Sequence, residues 1–275
     1  MRRMSPQTTQ RIATSLFWLA AASAVSVLLF IIVFVFIKGL PVIRPRFLLM
    51  SPDEGGVFSS IVSTVYLAVL AALIGSPLGV GTAIFLTEYT RESMLTRVVR
   101  FGADCLAGIP SIIYGLFGFI FFVLYLGMGF SVLAGSLIMA LMILPTVIRT
   151  SEEAIRSVPH EYRDVSYGLG CTRWQMVTRV VLPSALPGIV TGIVLGIGRC
   201  VSETAAVMLT AGSTLSTPKS PLDSCRTLSV HFYVKATEEG ISDELYGSAA
   251  VLIIAIVIIN TVSYWLMHQA MKKFS

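Results

Sequence analysis

The chain has 275 residues, 55% of them hydrophobic and only 13% charged, against roughly 25% charged residues in a soluble domain. That balance excludes a soluble globular protein. The formal charge of +5 would suit a nucleic-acid binder, but the basic residues lie in the loops between long apolar runs, where membrane topology puts them.

Residues 1–15 are polar and carry Arg2, Arg3 and Arg11. Residues 16–37 form an uninterrupted apolar run, long enough for one span at about 20 residues. Lys38-Gly39-Leu40-Pro41 follows, where a secretory signal would have a small-residue cleavage site, so an uncleaved anchor is expected. A loop with Pro41, Pro45, Pro52 and Gly55-Gly56 occupies 38–58. The second span covers about 59–87 and contains Gly75, Pro77, Gly79 and Gly81. Membrane helices tolerate such residues when neighbours re-satisfy the backbone, and small residues let helices approach closely.

A charged turn (Glu88, Arg91, Glu92, Arg97, Arg100) leads into a third span, about 101–127. Asp104 near its start reads as a helix-start residue. Pro110 breaks this span, which reads as kinked packing. A fourth span covers about 130–149, and Arg149 ends it. A polar stretch occupies 150–184, a fifth span about 185–212, a polar loop 213–245, and a last span about 247–268. Five acids (Asp223, Glu238, Glu239, Asp243, Glu244) face three bases in the loop 213–245, which is expected to be solvated. The fold class is therefore all-α, a polytopic membrane protein of six transmembrane helices. It divides into a tail, first span and loop (1–58), a five-span unit (59–268) and a tail (269–275).

The Lys and Arg count orients it. With the N-terminus inside, the loops 1–15, 88–100 and 149–184 and the tail hold thirteen basic residues. The outer loops hold six: Lys38, Arg44, Arg46, Lys219, Arg226 and Lys235. Both termini and the stretch 150–184 are thus expected in the cytoplasm. Of Cys105, Cys171, Cys200 and Cys225, only the last falls outside, so no disulfide is expected. No Cys/His cluster has zinc spacing, His160, His231 and His268 are far apart, and no phosphate-cradling G-x-x-x-x-G-K-[ST] occurs. Neither a catalytic nor a metal site is expected, and no cofactor.

Residues 159–183 organise the chain. They carry Glu161, Arg163, Asp164, Arg173 and Arg179 between spans, yet have helical grammar. Pro159 suits a first turn. Gly168 and Gly170 suit a left-handed C-terminal residue. Thr172-Arg-Trp-Gln175 has the form of a capping box, and the helix it opens is expected to run to Leu182 and stop at Pro183. Trp174, Met176, Val177, Val180 and Val181 would form its apolar side. The result is an elbow of two helices, which either lies on lipid headgroups or docks a soluble partner.

The fifth span contains Arg199-Cys-Val-Ser-Glu203. A mid-membrane Arg costs about 2.5–3.5 kcal/mol on insertion scales, so a partner or a wet cavity is expected. On a continuous helix Arg199 and Glu203 share one face. They read either as a neutralised pair holding the bundle or as an oxyanion site, since a guanidinium fork matches an oxyanion. Arg149 alone reads as a snorkelling residue; with Arg199 and Glu203 it makes up the candidate substrate pathway.

Asp164-Val-Ser166, then Gly170, then Val180-x-Leu182-Pro183 resembles the cytoplasmic coupling loop of ABC-importer permeases, with Asp in place of Glu and Val in place of Ile. The stretch 100–117 around Pro110-Ser111, Leu141-Met-Ile-Leu-Pro145 through Glu153, Arg199-x-x-x-Glu203-Thr-Ala205, and Leu228-Ser-Val-His-Phe-Tyr233 resemble the permease subunits of phosphate importers. Ser202 stands where Gly is usual. The resemblance covers about 59–268. It implies a type I importer permease fold with a coupling elbow in the inner membrane. It also implies a second permease subunit, two ATPase subunits that bind the ATP, and a periplasmic phosphate-binding protein. Glu161, Asp164, Gly170, Leu182 and Pro183 would then serve ATPase coupling. A permease for another oxyanion (sulfate or molybdate) and a non-transporting membrane scaffold or receptor are the alternatives.

Overall fold

A computed structural model describes residues 6–90, 93–238 and 240–272. Arg2, Arg3, Arg91, Glu92, Glu239 and Lys273 lie outside the described residues. The described helices are α1 (Pro6–Gly39), α2 (Pro45–Leu49), α3 (Phe58–Ile84), α4 (Met94–Gly108), α5 (Ser111–Gly118), α6 (Val132–Arg156), α7 (His160–Gly168), α8 (Arg173–Met176), α9 (Leu182–Ser202), α10 (Ala205–Thr210), α11 (Leu228–Glu238) and α12 (Asp243–Lys272). π-Helical turns extend α3 (Phe85–Tyr89) and α5 (Phe119–Tyr125) and join α8 to α9 (Val177–Val181).

Five described helical segments are long and apolar enough to cross a bilayer: Ala13–Val42, Phe58–Tyr89, Val132–Arg156, Arg173–Ser202 and Asp243–Trp265. The expected third span is instead a broken pair. Met94–Gly108 and Ser111–Tyr125 meet at 102°, far beyond a kink. Pro110 cannot donate to the preceding turn and restricts the residue before it. Ile109 is accordingly extended (ψ 129°). Tyr114 crosses the corner to bond its hydroxyl to the Leu106 carbonyl at 2.8 Å.

Helix α6 is the central element, with 67% of its most apolar stretch buried. Helices α3 and α9 flank it, α12 lies on α9, and α1 lies on α12. No residue in the most apolar stretch of α1 is buried, as suits a helix facing lipid or another subunit. Glycine sets the closest approaches. A Cβ at Gly79 would stand 2.7 Å from Val147 Cγ1, and one at Gly192 would collide with Thr150. In lipid, where helix association rests on close contact rather than on the hydrophobic effect, such small-residue seams hold a bundle together. Gly79→Leu is expected to lower the monodisperse fraction of solubilised protein several-fold, since overpacking costs about 1–3 kcal/mol. Size-exclusion chromatography of a fluorescent fusion reads this directly.

Two further expectations fail. The loop 213–245 is not simply solvated. It contains α11, whose Leu228, Ser229, Val230, His231, Val234 and Lys235 are buried, with the Leu228 N–H bonded to Thr64 Oγ1 at 2.9 Å. Its charges had masked this apolar face. The preceding segment caps α6: Val132 N–H donates to Asp223 O and Leu133 N–H to Pro221 O, and Ser131 is the N-cap. Backbone N–H groups of Lys219 and Ser220, each at 2.8 Å, hold the Asp223 carboxyl below the usual carboxylate range. Pro183, for its part, does not stop the elbow's second helix, which runs unbroken from Arg173 to Ser202. Pro183 stands just past the π turn Val177–Val181, where the regular i→i−4 bonding is already interrupted.

Candidate transport and coupling site

The elbow forms as its caps dictate. Helix α7 starts after Pro159 and ends in a Schellman motif. Gly170 is left-handed (φ 76°), Cys171 N–H reaches Ser166 O at 3.1 Å, and Gly170 N–H reaches Tyr167 O at 3.0 Å. Gly168 stays within α7. The capping box is complete: Thr172 N–H to Gln175 Oε1 at 2.9 Å, and Gln175 N–H to Thr172 Oγ1 at 3.3 Å.

Beneath the elbow, Met176, Val177 and Val181 pack with Ala83, Ile155 and Val158. Trp174, expected on that side, points the other way and is 66% exposed. It belongs to an outward face with Tyr162, Val165, Tyr167 and Leu169. Glu161, Asp164 and Gly170 are exposed with them. Exposed apolar side chains set among charged ones suit a protein-interaction surface. Leu182 and Pro183 are half-buried in the helix leading away, so they are not on that face.

Sequence reading missed what fastens the elbow to the spans. Arg163 Nη2 lies 2.7 Å from Glu88 Oε1, and Nε 3.1 Å from the same oxygen. The other guanidinium donors reach Val158 O at 2.7 Å and Ile155 O at 2.9 Å. The two side chains are only 11% and 6% exposed. Arg173 adds a second tie, with its guanidinium 5.8 Å from the centre of the Tyr89 ring. The signal for Glu88 was its place at the end of an apolar span.

The candidate pathway residues do not form one cluster. Thr150 abuts Gly192 and Ile143 abuts Gly196, so α6 and α9 run antiparallel. Arg199 lies seven residues beyond Gly192, about 10 Å further along the axis at 1.5 Å per residue. Arg149 therefore stands nearer the elbow. It pairs with Asp104 at the rim of a cavity of about 350 Å³ that also takes in Arg100, Glu152 and Arg156. Glu152 accepts from Arg156 at 2.7 Å and from Arg100 at 2.8 Å. Asp104 is thus an ion-pair partner and not the helix-start residue expected, because α4 begins ten residues earlier at Met94.

Arg199 and Glu203 do not lie on one continuous helix. Helix α9 ends at Ser202, and Glu203 is extended (φ −76°, ψ 134°). Its carbonyl accepts from Ser229 Oγ at 2.6 Å, and its Oε1 from Ala206 N–H at 3.4 Å. The carboxylate thus serves the start of α10. The ion pairs among the described residues include neither Arg199 nor Glu203. Arg199 is half-buried and keeps its guanidinium fork. Beside it, the Asn260 carboxamide of α12 stands against Gly198. The sequence signal for Asn260 was a lone amide in the apolar run 249–262.

Comparison with known proteins fits this arrangement. The family model described as "Binding-protein-dependent transport system inner membrane component" matches residues 75–274. A probable ABC transporter permease protein of Bacillus subtilis, YqgI, is 33% identical over 99% of this chain and 99% of its own. A phosphate transport system permease protein of Mycobacterium tuberculosis, PstA 1, is 36% identical over 80% of this chain and 73% of its own. Among solved structures, an inward-facing MetNI methionine ABC transporter superposes with TM-score 0.65 at 16% identity, covering 82% of this chain and all of that one. The all-helical fold is the type I ABC importer permease fold. A helix pair broken at Pro110, an exposed apolar elbow and a family model that matches residues 75–274 coincide here, and the chain belongs to the family of binding-protein-dependent transport system inner membrane components, the ABC transporter permeases.

Proposed function

We propose that this chain imports inorganic phosphate, forming half of the path through a heterodimer with a second permease subunit. The observation that carries the reading is its 36% identity to a phosphate permease over 80% of its length, a stretch too long for the elbow alone to explain. The half-buried Arg199 supports it, because a guanidinium with free donors is suited to an oxyanion. Two ATPase subunits seat on the outward faces of the two elbows and bind the ATP. A periplasmic phosphate-binding protein delivers at the opposite end. Glu161 and Asp164 offer acidic contacts beside the apolar face, and Gly170 fixes the angle between α7 and α8. The chain is a multi-pass subunit of the inner membrane with no cofactor of its own.

In the complete complex reconstituted in vesicles, phosphate with its binding protein is expected to stimulate ATP hydrolysis and to accumulate inside. Sulfate and molybdate are expected to do neither. Stimulation by sulfate or molybdate instead would assign another oxyanion, and no stimulation by any of them would leave a scaffold. Both termini are expected in the cytoplasm. A reporter fused after Ser275 that is active only in the periplasm would contradict this.

A further inference from the structure

We infer that Arg163 is a positioning residue for transport: it makes the elbow move with α3 and α6 as one body, so that force from the ATPase reaches the path. This rests on the permease reading above. The ordinary job of a basic residue near a helix C-terminus is to neutralise the end of the helix dipole. Arg163 does more, because its five donors are divided between two different spans. Nε and Nη2 hold the Glu88 carboxylate at the end of α3 (3.1 and 2.7 Å). Nη1 and Nη2 hold Val158 O and Ile155 O at the end of α6 (2.7 and 2.9 Å).

The guanidinium is itself part of α7, the first helix of the elbow, and is nearly buried. A charge-assisted pair out of water is stronger than an exposed one. Glu88 and Arg163 are 75 positions apart, so no local folding need links them. The ion pairs continue beyond the clamp. Glu152 of α6 takes Arg100 of α4 as well as Arg156, and Asp104 of α4 takes Arg149. A displacement of the elbow is thereby passed to α6 and to the helix that bends away at Pro110.

A Lys carries the same charge but lacks the fork, so it can satisfy Glu88 or the carbonyls and not both. The test uses the complete complex in vesicles, with two readings. The first is phosphate moved per ATP hydrolysed. The second is the distance between spin labels replacing Phe85 and His160 of α7, both exposed and neither on the face that seats the ATPase, in a cysteine-free background, with and without trapped ATP.

With Arg163 present, the label distance is expected to be the same in both nucleotide states. Arg163→Gln is expected to lower phosphate per ATP about tenfold and to make the label distance change with ATP. Arg163→Lys and Glu88→Gln are expected to do the same by a few-fold. Where Arg163→Gln fails to assemble, these two milder variants decide. Unchanged phosphate per ATP together with an ATP-independent label distance in the variants that assemble overturns the proposal and leaves Arg163 a folding residue. The label distance does not depend on the transported anion. Failure of the phosphate reading therefore shows in the unaltered complex, which would transport no phosphate while its label distance still reports on the clamp.

Discussion

Arg199→Gln abolishes phosphate uptake while the complex assembles at its normal level. Insertion scales set the cost of an Arg at mid-membrane at about 2.5–3.5 kcal/mol, and no ion pair of Arg199 offsets it among the described residues. Removing the charge therefore strands no acid. What is lost is the charge-assisted contact to a passing oxyanion, worth about 1.5–3 kcal/mol per hydrogen bond to a charged group. That corresponds to a loss of at least 10- to 100-fold in uptake at equal amounts of complex.

Arg199→Lys keeps the charge without the fork and should fall between the two. Glu203→Gln retains an oxygen for Ala206 N–H and should cost less than tenfold. Because no ion pair joins Glu203 to Arg199 among the described residues, the double variant Arg199→Gln/Glu203→Gln should behave as Arg199→Gln does. Recovery of uptake in the double variant would mean that the two charges do pair. A loss of assembled complex in Arg199→Gln would make the arginine structural. Labelled-phosphate uptake normalised to immunoblotted complex separates these results.

Gly170→Val uncouples ATP hydrolysis from uptake by changing the angle of the elbow. Gly170 is left-handed at φ 76°, a conformation that costs an L-residue about 1–2 kcal/mol, and a β-branched side chain fits it worst. No atom lies within 4 Å of a Cβ built there, so the effect comes from the backbone alone. The Schellman bonds to Tyr167 O and Ser166 O would open and α7 would re-aim against α8. Gly170→Asn, which tolerates the left-handed region, is the matched control. Several-fold less phosphate per ATP in the Val variant and a near-normal ratio in the Asn variant are expected. Equal ratios in both would show that the corner does not transmit.

Much of this was legible in windows of a few residues. The apolar runs gave every span but the third, because span length follows from bilayer thickness. Thr172, Gln175 and Gly170 gave the elbow's corner, since caps and left-handed turns are settled by groups within a few positions of one another. Other features depended on groups far apart in the chain or on local register. Whether Pro110 kinks a helix or turns it through 102° depends on what receives the second half, here α10. Pro183 passes through a helix because a π turn precedes it. The chain turns out of α9 at Glu203, whose carbonyl is held by Ser229, 26 positions away. Arg163 finds Glu88 across 75. Hydropathy and spacing record what each residue prefers, and a preference names no partner. The tertiary structure alone decides which buried charge meets which, because a buried charge is stable only beside the particular group that satisfies it.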